Sequence, residues 1–241
     1  MTKSCKVWQM VTQLTTILLV GVSASLFSTH PAQASTLDVT ATVSNLGQIV
    51  ITLNISGNPN NVNGHYNPAF AGSIVPSFLD GTSLPFLYCV DVLHDIFIPQ
   101  AGYSTDFNNL GKVHGTGVVN AGQVAWLLDQ YADSAKGNLN KTAALQAAIW
   151  EVIYGDQFTL NYPTTSKTIY DYYSTYITGV SSAPTSVGKY TWLSPEGVDP
   201  YTHKTTLMQG LVTRVPEPGS TLLLAFALSG LFVLGWWRRM R

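Results

Sequence analysis

Along this chain the spacing of apolar residues switches between two periods. From Leu37 to Ile55 they fall at every second position, as Leu37, Val39, Ala41 and Val43, then Ile49, Ile51, Leu53 and Ile55. That alternation turns one face of a strand to a core, and the turn-like Asn45-Leu46-Gly47 between the runs predicts a β-hairpin over residues 37–56. Residues 57–81 are rich in Asn, Gly, Pro and Ser and predict an irregular segment. Residues 86–93 return to strand-like composition with Cys89 in their middle. From Asn120 the period lengthens: Val124, Leu127, Leu128 and Tyr131 recur at helical spacing, with Asn120 as N-cap. A second helix carries the stripe Leu145, Ala148, Ile149 and Val152, capped by Asn140 or Thr142 and stopped by Gly155. A tyrosine-rich third helix is expected over residues 167–178, and residues 189–193 and 205–213 read again as strands.

Strands at both ends with helices between them predict an α+β domain: a β-sandwich or barrel-like sheet with an inserted helical subdomain. No internal repeat or long low-complexity linker divides residues 35–214, so one domain of ordinary size is expected there. That stretch carries seven basic and twelve acidic residues, a formal charge of about −5, which argues against a nucleic-acid partner.

The two ends change the picture. Lys3 and Lys6, an apolar stretch around residues 17–22 and the small-x-small site Ala32-Gln33-Ala34 predict a secretory signal peptide over residues 1–34. Cleavage after Ala34 would discard Cys5 and leave Cys89 as the one cysteine of the mature chain, so no internal disulfide can hold the domain. At the other end, Val215-Pro216-Glu217-Pro218-Gly219 precedes an uncharged run of seventeen residues from Thr221 to Trp237, and Arg238-Arg239-Met240-Arg241 follows. The run is just long enough to cross a membrane as a C-terminal transmembrane helix, with Trp236 and Trp237 at the interface and the arginines on the cytoplasmic side.

This three-part tail resembles, over residues 215–241, the PEP-CTERM sorting signal of Gram-negative bacteria. The resemblance implies an exosortase-type enzyme as processing partner, acting near Pro216, Glu217 and Pro218, with Arg238 and Arg239 as the terminal cluster. It also implies an exported protein of the cell envelope, cell surface or extracellular polysaccharide matrix, membrane-anchored before processing. A plain C-terminal anchor is the alternative, but such an anchor has no need of two prolines flanking a glutamate at the membrane boundary.

Two further segments carry candidate chemistry: Tyr88-Cys89-Val90-Asp91 on the expected strand, and Gln146-Ala147-Ala148-Ile149-Trp150 on the second helix, with Cys89 and Gln146 fifty-seven residues apart. Together they resemble the thioester domains of bacterial surface adhesins, which pair a Cys behind an aromatic residue or Leu with a Gln in a Q-x-A-I-W helix. The resemblance implies that Cys89 and Gln146 join in an internal thioester for single-turnover covalent attachment to a protein or polysaccharide. It requires no cofactor and makes the chain a covalent binder, not an enzyme with turnover. Gln146, Trp150 and Ile153 lie at i, i+4 and i+7, beside the apolar stripe, so Gln146 is expected to face inward. Trp150 and Tyr88 are then expected to shield the bond from water. The sequence departs from the adhesin pattern at Leu145, where a polar residue is frequent; Asp91 or His94 could serve as the proton-transfer partner.

Other readings stay open. A non-covalent structural or glycan-binding matrix protein would use Cys89 and Gln146 for packing only. A Cys-His hydrolase would pair Cys89 with His94 or His114. His65, His94, His114 and His203 have no metal-ligand spacing, so no metal site is expected. Tyr170, Tyr172, Tyr173 and Tyr176 could stack on glycans, though core or boundary packing is the commoner use of such residues.

Overall fold

The two alternating runs near the N-terminus do form strands, but not with each other. In the computed structural model, which describes residues 34–56, 63–180 and 184–214, β1 (Ser35–Val39) and β2 (Gly47–Leu53) belong to different sheets. Period two decides which face of a strand is buried and leaves its partner open. Here the N–H groups of Thr40 and Ala41 bond the carbonyl of Pro76, and Thr42 and Asn45 close a short 3-10 turn over Val43–Asn45. The chain therefore turns away from β1 instead of folding back along it.

The larger sheet is antiparallel and curls into a half-barrel. Its order runs from β5 (Thr82–Ser83) through β4 (Ser77–Leu79), β1, β7 (Gln100–Asn108), β11 (Thr191–Val198) and β13 (Leu211–Thr213) to β6 (Tyr88–Cys89), with β12 (Thr205–Leu207) also on β11. A three-stranded sheet places β2 between β3 (Gly64–Ala71) and β10 (Phe158–Leu160). A small hairpin joins β8 (Lys112–Val113) to β9 (Thr116–Gly117). The irregular segment expected over residues 57–81 thus contains β3 and β4. β3 was hidden because it is an edge strand whose residues are nearly all exposed, so it shows no apolar alternation. The strand expected over residues 86–93 shortens to β6, and the one over 205–213 is broken into β12 and β13.

Between β9 and β11 come three helices: α1 (Ala121–Ala135), α2 (Leu139–Tyr154) and α3 (Lys167–Thr178). α2 is wrapped on nearly every side, since Thr142 through Trp150 are all buried. It packs on α1, on α3 and on all three strands of the smaller sheet. Small residues permit this. A Cβ on Gly47 of β2 would come within 2.6 Å of the Ala143 Cβ and 3.1 Å of the Leu139 carbonyl oxygen.

Helix ends follow the expected logic with two departures. The side chain of Asn138, not Asn140 or Thr142, accepts from the Lys141 N–H as the cap of α2. Gly155 ends it in the left-handed region (φ 53°), as expected. Asn120 precedes α1 but has φ 54°, and its side-chain amide donates to the Val152 carbonyl, so it ties α1 to α2 instead of capping. Of the α3 tyrosines, Tyr176 is buried and stacks on Tyr131, while Tyr170, Tyr172 and Tyr173 pack half-buried against the core. Among the described residues no helix is long and apolar enough to cross a membrane. The expected leader, the sorting signal and the apolar run 221–237 lie outside the described residues.

Candidate functional site

The short strand β6 brings the first candidate to its place. It is the outer strand of the half-barrel, paired with β13 through Cys89 opposite Leu211 and Tyr88 opposite Val212. Val90 turns its N–H inward to the Gly210 carbonyl, whereas the amide groups of Cys89 point outward, to helix α2. There the side chain of Gln146 meets them. Its Oε1 accepts from the Cys89 N–H at 2.9 Å, and its Nε2 donates to the Cys89 carbonyl at 2.7 Å. The Gln146 carboxamide thus behaves as one more residue of a neighbouring strand and satisfies an otherwise open sheet edge. Both residues are buried, Gln146 at 1% and Cys89 at 6% exposure.

The Cys89 thiol donates to Gln209 Oε1 at 2.9 Å, a partner that no sequence motif announces. Burial, and after it the negative charge of Asp91, push the thiol up from its ordinary range. The thiol is therefore un-ionised at neutral pH. Cys89, Gln146, Trp150 and Gln209 share the wall of a cavity of about 370 Å³, together with the aromatic rings of Phe70 and Phe97. Trp150 is buried there, and its indole N–H has no acceptor among the described residues. Tyr88 does not belong to this cavity. Successive side chains on a strand face opposite ways, and Tyr88 lines a separate space with Phe86, Ala132 and Thr142. Its expected shielding role has no geometric support.

Past Cys89 the chain leaves the sheet and forms a second cluster. Asp91 is buried. Its Oδ1 accepts from the Leu93 N–H at 2.7 Å, and its Oδ2 lies 2.5 Å from His94 Nδ1. The ring of His94 faces that of His114, with centroids 5.4 Å apart. His114 Nε2 lies 2.7 Å from the Met208 carbonyl oxygen. Asp91, His94 and His114 each offer a ligand atom, and these atoms all lie within 4.8 Å of one another. Sequence spacing concealed this grouping because His114 arrives from the β8–β9 hairpin, twenty residues beyond His94. His65 lies elsewhere, beside Thr52 on the smaller sheet. His94 and His114 line a cavity whose lining does not include Cys89, and the Cys89 thiol bonds Gln209.

The two clusters are joined by adjacent residues. Met208 holds His114, Gln209 holds the Cys89 thiol, and the Gln209 N–H bonds the Asp95 carbonyl. Comparison of the chain with protein-family models, with curated proteins and with solved structures finds no match in any of the three.

Proposed function

We propose that this chain is an exported surface or matrix protein whose domain forms an internal thioester between Cys89 and Gln146 and uses it to attach covalently to an amine- or hydroxyl-bearing target. The observation that carries this reading is the double hydrogen bond of the Gln146 carboxamide to the backbone of Cys89, beside a cavity that both residues line. The amide carbon is held against the residue that bears the thiol, and in the reaction the Cys89 side chain would turn from Gln209 toward it. Such positioning replaces a costly encounter of two groups by one local torsion.

The chemistry balances without a cofactor. Sulfur attacks the Gln146 carboxamide carbon, a C–S bond forms, the C–N bond breaks, and the thiol proton leaves with the nitrogen as ammonia. Trp150 contributes a buried N–H without a partner, suited to an oxygen that gains charge during attack. A target amine then attacks the thioester, an amide bond to Gln146 forms, and Cys89 regains its proton. Burial of Cys89 limits hydrolysis in the interval. The half-barrel with its inserted helices is the scaffold that holds strand and helix together. In the same reading residues 1–34 direct export. Residues 215–241 anchor the chain in the membrane until an exosortase-type enzyme processes it.

Intact mass of the purified protein, with and without methylamine, tests this directly. The expected result is a deficit of one ammonia that methylamine replaces by its adduct, both absent in Cys89→Ala. An undiminished mass with a titratable Cys89 thiol refutes the thioester and favours the non-covalent matrix protein, in which Gln146 only closes the sheet edge.

A further inference from the structure

We propose that His94, His114 and Asp91 form a binding site for a divalent transition cation of the zinc class. Asp91 Oδ2 and His94 Nδ1 face each other at 2.5 Å, and a cation held by both would replace the proton they share. A backbone carbonyl can only accept, so His114 Nε2 carries the proton given to Met208, and Nδ1 keeps its lone pair. His114 is therefore fixed at Nε2 by a main-chain carbonyl, with Nδ1 turned free. This is the support that metal-binding histidines receive in known sites, where it sets the tautomer and the ring orientation.

His114 and Gly115 form the two-residue turn between β8 and β9, with φ 48° and 74°. Two positive φ values mark a type I′ hairpin turn, whose first position normally falls to Asn, Asp or Gly. A histidine there is strained, and the structure holds it, with the His114 N–H bonded to Ser194 Oγ at 2.8 Å. The turn aims this residue at His94 across a cavity of about 260 Å³ lined by Asp91, His94, His114 and Tyr154.

A tetrahedral zinc ion spaces its ligands about 3.3 Å apart. Binding would have to narrow the present spread of up to 4.8 Å by turning side chains, of which His94 is 24% exposed. Two imidazoles with a carboxylate match zinc, cobalt or nickel and not calcium or magnesium. Three protein donors leave a coordination position open to water or to an incoming ligand.

The test uses the purified full-length chain, stripped with chelator and titrated with Zn²⁺ by calorimetry, with Co²⁺ as a spectroscopic probe. One equivalent of Zn²⁺ is expected to bind, with affinity reduced at least about tenfold in His94→Gln and in His114→Asn. Binding should be unchanged in His65→Asn and in Cys89→Ser. Asn is favoured at the first position of this turn, so His114→Asn retains the hairpin; His94→Gln, on a half-exposed loop, provides an independent check. Co²⁺ should show visible bands of a nitrogen- and oxygen-ligated ion that disappear in the histidine variants. The proposal is overturned by the absence of saturable binding, by binding indifferent to both histidine substitutions, or by a sulfur-to-cobalt band lost in Cys89→Ser. Because the Cys89 control is separate, this outcome is independent of whether the thioester forms.

Discussion

Two polar clusters lie on either side of residue 90, and they are built in opposite ways. Around Cys89 the backbone groups and the thiol are all taken, by Gln146 and by Gln209, while the buried Trp150 indole N–H on the same cavity wall has no acceptor among the described residues. Around Asp91 the His114 imidazole is tied only at Nε2 and the His94 imidazole meets the Asp91 carboxylate, with His94 partly exposed to solvent. The first arrangement suits a bond that must be kept from water, and the second suits an ion that must come and go. Burial of a polar group is informative only together with the tally of its partners.

The contrast can be broken from the closed side. Trp150→Ala removes a large buried ring and should cost about 3–5 kcal/mol in chemical denaturation. Any thioester that forms in this variant should hydrolyse markedly faster in a mass time course, and an unchanged lifetime would remove Trp150 as a shield. A smaller effect is expected where α2 meets β2. Gly47→Ala drives a methyl group to 2.6 Å from the Ala143 Cβ and should cost about 1–3 kcal/mol. Adding Ala143→Gly should recover part of that loss, and a purely additive double variant would show that the contact is not what limits the approach. The smallest change in stability belongs to Gln209→Ala, below about 1 kcal/mol, because only one hydrogen bond from a neutral thiol is lost. Its value lies in kinetics. With its acceptor gone the thiol is free to turn toward Gln146, and ammonia loss after refolding should be faster than in the parent chain. Slower ammonia loss would make Gln209 a helper of the reaction instead of a competitor.

Much of the helical part was legible in the sequence because its signals are local. α3 spans the expected residues 167–178, and Gly155 stops α2 where a left-handed residue was needed. The inward position of Gln146 also follows from spacing alone, since it precedes Trp150 and Ile153 by whole turns. Strand partnership was not legible. Leu37 and Ile51 alternate identically with their neighbours, yet one faces β4 and β7 while the other faces β3 and β10. Nothing in a period of two distinguishes those outcomes. The histidine cluster depends on the same long-range information. Its one local trace is the pair His114-Gly115 between two short extended segments, a hairpin signal in which the unusual residue is the informative one.

The burial of α2 on nearly all sides has a mechanical consequence. A target joined to Gln146 would pull on a side chain rooted in the middle of the fold, on a helix gripped by two other helices and three strands. Load entering there is shared among many contacts at once, and no single terminal strand can be peeled away first. If a target is joined there, this buried helix is a firmer tether point than a loop at the rim would be.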